Sequence, residues 1–373
     1  MIPIGDSKVP LIHVDKIRDK AVVKLSDWVS DFRLIQLETN KECMLEHVMR
    51  VYVGKEYILI STVDKGIMMF DGNGKFIRIL ASHGKGPGEV MDPNRNIFVD
   101  EKNDRLYVTD FSLMRNRIIS YDIKTGAFRT IPIMHNGPEI SIRDVIVQND
   151  SIMYITTMQA RGGKSDCPLF CQTTSGRLLW EIKKTHPRGL TDASIQMRDN
   201  RIYLYYNFVQ DTTWLVENQQ LKPISIITSE KPSAYFEEKE GNVFIGLAPL
   251  KGDLFLGGMT TVKSVVFDKR YGQNSSTYND RVMFVFDAGS NHATSIGQVQ
   301  NDYLGSNEKF YLQFHYNGLA TVSYQAFDLR QIADSVYKLP DISKEVKARM
   351  KFILEKVGES DNPVIMVGKF KDL

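Results

Sequence analysis

Cysteine is scarce, long apolar runs are missing and neither sign of charge prevails, and each shortage removes a class of protein. Three cysteines in 373 residues cannot form a fully paired disulfide framework. Cys167 and Cys171 fall in CPLFC, which reads as a strand. Four strand steps separate their Cα atoms by roughly 13 Å, whereas a disulfide needs about 5.5–6 Å. They are read as small buried apolar residues, not as a bridge or a metal pair, and Cys43 has no evident partner. No apolar run approaches the length that crosses a bilayer, and residues 1–20 lack the apolar core of an export signal. The chain is expected to be cytoplasmic, or exported with its leader removed. Lys plus Arg number 47 against 45 Asp plus Glu, a net charge of +2. Neither nucleic acid nor an anionic membrane is therefore expected as the main partner. Also missing are a GxSxG elbow, a GxGxxG opening a helix, an HExxH and a paired-cysteine zinc site.

What is present is a repeat. A β-rich run ending in aromatic–Asp, a short glycine turn and a second β-rich run appear as MMFDGNGKFIRIL from Met68 and ISYDIKTGAFRTI from Ile119. A degraded copy, LFCQTTSGRLLWEI, starts at Leu169, and VVFDKRYG and FVFDAGS follow after Val265 and Phe284. The turns DGNG and KTG supply residues that tolerate positive φ, as tight hairpins require. Asp71, Asp122 and Thr173 stand at successive intervals of 51 residues. A second series, VMRVYV, NIFVD, DVIVQ, SIQMR and NVFIG, recurs every 48 residues or so, each member followed by a turn and another strand.

Four short antiparallel strands per 40–50 residues mark a propeller blade, and no sandwich needs such a period. Six units fit between Val48 and Ala326. A single blade cannot bury both its faces, so the blades must pack side by side. The fold class expected is all-β, a six-bladed β-propeller of four-stranded antiparallel blades. FRLIQLE (Phe32 to Glu38) and NPVIMVGKF (Asn362 to Phe370) are expected to complete the last blade, leaving no edge exposed. Residues 1–30 read as an N-terminal arm and 31–373 as one propeller. One helix is expected over 343–357, where Ile342, Val346, Met350, Ile353 and Val357 form an apolar stripe and Gly358 a stop.

SDWVSDFRLIQLETN near the start, KFIRILASHGKGPGE between the first two blades and the closing NPVIMVGKFK together resemble one family. It is the six-bladed propeller family of exported, often lipid-anchored Bacteroidales proteins, related to NHL-repeat proteins. The resemblance spans nearly the whole chain. It implies an extracytoplasmic location and a missing leader, with no lipid-bearing cysteine near Met1, and it assigns no activity.

Loops joining second to third strands share one side of a propeller with the blade-to-blade loops, and by fold-level analogy sites gather there. Those segments carry Lys85, Arg115, Arg161, Lys164, Arg188 and Arg270. Such a basic, glycine-lined mouth suits a carboxylate, a phosphate or an acidic glycan; a merely solvated rim is the bland alternative. GKGPGE (Gly84 to Glu89) lacks P-loop spacing and opens no helix, so it reads as a tight crossing between blades. His83, His135 and His186 are spaced by 52 and 51 residues, the period of the repeat. Three imidazoles converging on one point could bind zinc and leave a fourth position open; calcium is the other ion considered. Hydroxyglycine-peptide lyases related to NHL proteins are similar in placing histidines in a propeller mouth. The alternative is a structural histidine repeated with its blade.

The leading expectation is a non-enzymatic module that binds a small anionic or glycan ligand, or another protein, without a cofactor. The alternative is a metal-dependent lyase or hydrolase on the three histidines, with Arg161 or Arg188 holding an anionic substrate.

Overall fold

The computed structural model describes residues 2–4, 7–17, 20–92, 97–112, 115–135, 140–159, 167–183, 193–206, 212–230, 241–268, 273–278, 282–308, 310, 312–315 and 317–371. The architecture is the six-bladed β-propeller expected from the repeat. The chain divides into two compact units: residues 1–22, 138–173 and 177–298, and residues 23–137, 174–176 and 299–373.

The second unit holds three blades. Blade 1 orders Val48–Val53, Tyr57–Thr62, Gly66–Asp71 and Phe76–Ser82; blade 2 orders Ile97–Asp100, Arg105–Ser112, Arg115–Asp122 and Phe128–Ile131. Blade 6 orders Gln313–Phe314, Leu319–Tyr324, Val364–Phe370 and Val29–Gln36. Both terminal strands thus complete one blade, with Ile365 opposite Ile35. The first unit holds blade 3 (Ile140–Gln148, Ile152–Gln159, Leu169–Thr173, Leu178–Ile182) and blade 4 (Ala193–Arg198, Arg201–Tyr206, Thr212–Glu217, Gln220–Thr228). Its blade 5 is Gly241–Lys251, Leu254–Asp268, Val282–Asp287 and His292–Gln300. The arm is not separate from the sheets. Leu11–His13 adds a parallel fifth strand to blade 4, Leu11 opposite Ile226, and Lys20–Lys24 lies beside the last strand of blade 5.

Blade 1 shows why a period-2 sequence makes this fold. Successive side chains of a strand point to opposite faces. Leu59, Ile67 and Met69 join one core, with Leu106, Val108 and Tyr121 of blade 2. Their neighbours Ile58, Ile60, Met68 and Phe70 join another, with Ile35, Ile365 and Val367 of blade 6. Central strands covered on both faces read as unbroken apolar runs, and YILIST is buried throughout. Each such aliphatic side chain contributes about 1.5–3 kcal/mol.

The aspartates that end the repeated strands cap the turns that follow. Asp71 accepts from the Asn73 and Lys75 amides at 2.8 and 2.9 Å, Asp122 from Thr125 at 2.8 Å and Asp287 from Gly289 at 2.9 Å. The Thr125 amide holds the Asp122 carboxyl below its ordinary range. Gly74 takes φ +89°, and a Cβ there would strike the Gln36 carbonyl. The position thus demands glycine, and its carbonyl receives the Glu38 amide at 2.8 Å.

Two readings change. Besides the short α1 (Leu25–Trp28), the expected C-terminal helix, α3 (Lys344–Lys356), is preceded by α2, Ala326–Tyr337. The α2 stripe Leu329, Ile332, Ala333 and Val336 is buried. The stretch after VVFD, read as the loop that carries Arg270, contains the strand Gln273–Tyr278, which pairs with the extended end of Leu254–Asp268. VVFD therefore belongs to that hairpin, and VMFVFD supplies the blade's third strand.

Candidate functional site

In each meandering blade the first and third turns lie at one edge and the second at the other, because consecutive strands are antiparallel. In the first unit, the edge carrying first and third turns opens into a cleft of about 340 Å³ between blades 3 and 4.

Blade 3 supplies its aromatic wall. Tyr154 pairs with Cys171 and Cys171 with Trp180, so the three side chains form a row on one face of the sheet. The Tyr154 and Trp180 rings meet edge to face, 6.1 Å apart at 70°, a favoured aromatic arrangement. Blade 4 supplies two hairpin turns, Asp199–Asn200 (φ 48° and 58°) and Asn218–Gln219 (φ 49° and 62°). Positive φ at both central residues is the type I′ pattern, whose twist suits a two-residue hairpin. Gln148 bridges the walls: its Nε2 donates to the Asn200 carbonyl at 3.0 Å, and its Oε1 accepts from the Tyr154 hydroxyl at 3.3 Å. Arg201, Glu217, Asn218 and Gln219 complete the rim and are exposed.

Burial holds the Tyr154 hydroxyl above its usual range, with Cys171 a smaller cause, and pushes the Cys171 thiol up to about 12. The thiolate is the nucleophile, so Cys171 is inert at neutral pH although it lines the cleft. Native protein at pH 8 is expected to leave Cys171 unlabelled by a disulfide reagent that labels it fully in denaturant. Rapid native labelling would contradict this. Because the folded value lies above the unfolded one, near 9, this thiol's contribution is intact below pH 9 and stability falls as pH rises from about 9 to 12.

Beside the cleft, a polar network joins the inner strands of the same two blades. A bulge between Ile142 and Val145 accommodates Arg143 and Asp144. Asp144 accepts from the Ile195 amide at 3.2 Å, Arg143 Nε donates to Ser194 Oγ at 2.8 Å, and Gln196 Nε2 donates to the Tyr205 hydroxyl at 3.0 Å. The first two of these bonds join blade 3 to blade 4, and the third lies within blade 4.

The residues singled out by sequence fare unevenly. Lys85 is exposed in the glycine loop. Arg115 starts a strand of blade 2. Arg161, Lys164, Arg188, Arg270 and His186 lie outside the described residues. His83 is exposed, bridging to Val90 with its amide donating to the Lys65 carbonyl at 3.2 Å. Among the described residues it joins no group of three His, Cys, Asp or Glu ligands. His135 is half-buried just past the last strand of blade 2. Within the glycine loop the Gly86 amide donates to Glu89 Oε2 at 2.7 Å, and Tyr121 of blade 2 donates to the Gly88 carbonyl at 3.0 Å.

Sequence reasoning passed over the cleft. Trp180 sits in the degraded repeat LFCQTTSGRLLWEI, which reads only as strand, turn and strand. One local signal was available: the turn ENQQ has no glycine, and glutamine is a poor occupant of the left-handed region.

A family defined as a domain of unknown function, DUF4934, matches residues 9–369. Among solved structures the chain is similar to an exported-by-assignment protein of Bacteroides fragilis NCTC 9343, BF0058. The TM-score is 0.62 at 15% identity, covering 98% of this chain and 99% of that one. The designed protein Ika8 (TM-score 0.43, 11% identity, 79% and 84% covered) and an oligogalacturonate lyase of Vibrio parahaemolyticus (0.41, 11%, 84% and 75%) are more distant and carry no functional argument. No curated protein matches. Among the described residues no helix is long and apolar enough to cross a membrane.

Proposed function

The chain belongs to the DUF4934 family, and we propose that it is a non-enzymatic binding propeller that takes a small ligand into the cleft between blades 3 and 4. The observation that carries this reading is the cleft's composition: an aromatic wall, Tyr154 and Trp180, faces a rim of amides and one charge of each sign. Ligand sites are typically concave, with apolar walls and a few convergent polar groups. Neither Tyr154 nor Cys171 is poised as a general base, since burial holds both protonated. Lys85, exposed in the crossing from blade 1 to blade 2, is assigned to an acidic or protein partner. An extracytoplasmic location accords with the export assigned to the Bacteroides fragilis neighbour.

The test is a thermal-shift screen of small polar metabolites on the intact protein and on Trp180→Ala. A ligand at 100 times its Kd stabilises by about 2.7 kcal/mol. Losing the indole is expected to weaken binding by about 2 kcal/mol or more, as for a buried aromatic anchor. A ligand whose shift persists in Trp180→Ala, or that is converted to product, would refute the reading.

A further inference from the structure

Resting on that reading, we propose that the cleft recognises a neutral saccharide, stacked on Trp180 and held by the side chains of Gln148, Asn200, Asn218 and Gln219.

Three observations select this class. First, a hydroxyl both donates and accepts, and so does a side-chain amide; Gln148, Asn200, Asn218 and Gln219 all line the cleft. Ligands rich in hydroxyls fit such a lining: Gln148 and Asn200 are already oriented by their mutual bonds, and Asn218 and Gln219 present exposed side chains. Second, the charges on the rim, Arg201 and Glu217, offset one another. An anion would meet as much repulsion as attraction, unlike at the cation clusters that bind phosphate or carboxylate. Third, the aromatic wall is accessible. Trp180 is only half-buried, and its edge contact with Tyr154 at 70° leaves ring surface for the C–H face of a pyranose, a weak contact that accumulates over the ring. The volume of about 340 Å³ is at the small end of ligand pockets, about 300–1,000 Å³, the scale of one or two sugar rings.

Gln219 adds a separate argument. It sits at φ 62°, where glycine or asparagine is favoured and where a longer side chain is strained. Such conformers cluster at ligand sites, where the strained residue serves the ligand. The other positive-φ turn positions of these two blades are Asn149–Asp150, Gly176 and Asp199–Asn200, residue types that tolerate the region. Gln219 departs from that pattern, and it lies in the cleft.

The experiment is methyl NMR of the intact protein, with Leu179 and Val216 of the cleft as reporters. The panel holds neutral mono- and disaccharides, a soluble neutral polysaccharide, uronic acids, amino acids and nucleosides. Shifts with neutral sugars are expected, and the polysaccharide arm separates a free sugar from a chain. In Gln219→Gly the melting temperature should hold or rise, while affinity for the same sugar falls about 3–10-fold, the worth of one neutral hydrogen bond. That split keeps the test valid even if a Trp180 variant fails to fold. If only uronic acids, amino acids or nucleosides move the reporters, the saccharide assignment falls and the binding cleft survives. If nothing moves them, both fall. Unchanged sugar affinity in Gln219→Gly would remove that residue's assigned role.

Discussion

Asp110→Ala is expected to lower stability by about 3 kcal/mol, read as a drop in the urea midpoint. Asp110 lies in the second strand of blade 2, and its side chain is fully buried. One oxygen accepts the Met91 and Asp92 amides at 2.9 and 3.0 Å, and the other accepts Arg117 Nε at 3.0 Å together with Arg117 Nη2. The Arg117 guanidinium also donates to the Glu89 carbonyl at 2.9 Å. One carboxylate therefore fastens the crossing from blade 1 to blade 2. Removing a single partner of a buried pair typically costs about 3–5 kcal/mol, because the other charge is left uncompensated; the 22% exposure of Arg117 places the value at the lower end. Replacing both groups, as Asp110→Ala with Arg117→Met, should recover part of the loss, since an apolar pair leaves no orphan charge. Protease cleavage in residues 84–90 should accelerate in the single variant. Unchanged stability there would show that the crossing is held by Tyr121 and Glu89 alone.

The same crossing shows what the sequence disclosed. GKGPGE reads as a blade-to-blade passage because it lacks phosphate-loop spacing, and the bonds of Glu89 and Tyr121 follow that reading. Asp110 carried no local signal: TDF resembles any strand end, and its partners lie 7 and about 20 residues away. The blades were legible because each repeats a strand–turn pattern at one interval, and the closing strands because a sheet must be completed. Helix α2 was hidden by its junction with a strand, although Leu329, Ile332, Ala333 and Val336 have helical spacing. The cleft was hidden for another reason. Alternation tells that Tyr154 and Trp180 lie in strands, but not that neither is fully covered by the next blade. The one accessible clue was a glutamine where the turn called for glycine.

Asn362→Asp is the replacement expected to do most harm for the least change in shape. Asn362 is fully buried, and both ends of its side-chain amide are hydrogen-bonded. Its Oδ1 accepts the Leu45 amide at 2.7 Å, and its Nδ2 donates to the Glu38 and Cys43 carbonyls at 2.6 and 2.8 Å. These bonds tie the loop after the strand Val29–Gln36 to the start of the closing strand Val364–Phe370. An aspartate keeps the acceptor but turns an oxygen toward two carbonyl oxygens. Ionised, it is a buried charge among acceptors; protonated, it can satisfy only one of them. Each buried polar group left unbonded costs about 1–3 kcal/mol, so a loss of 3 kcal/mol or more is expected from one isosteric exchange. The sign with pH follows. Burial beside carbonyls raises the new carboxyl above the ordinary value of about 3.9. The variant's deficit should then be smallest below that value and grow as pH rises through the folded value. Urea unfolding of both proteins between pH 4 and 8 measures this. A deficit independent of pH would mean that the carboxyl has escaped to water, and that the closing strand can separate from the 38–45 loop without unfolding the blade.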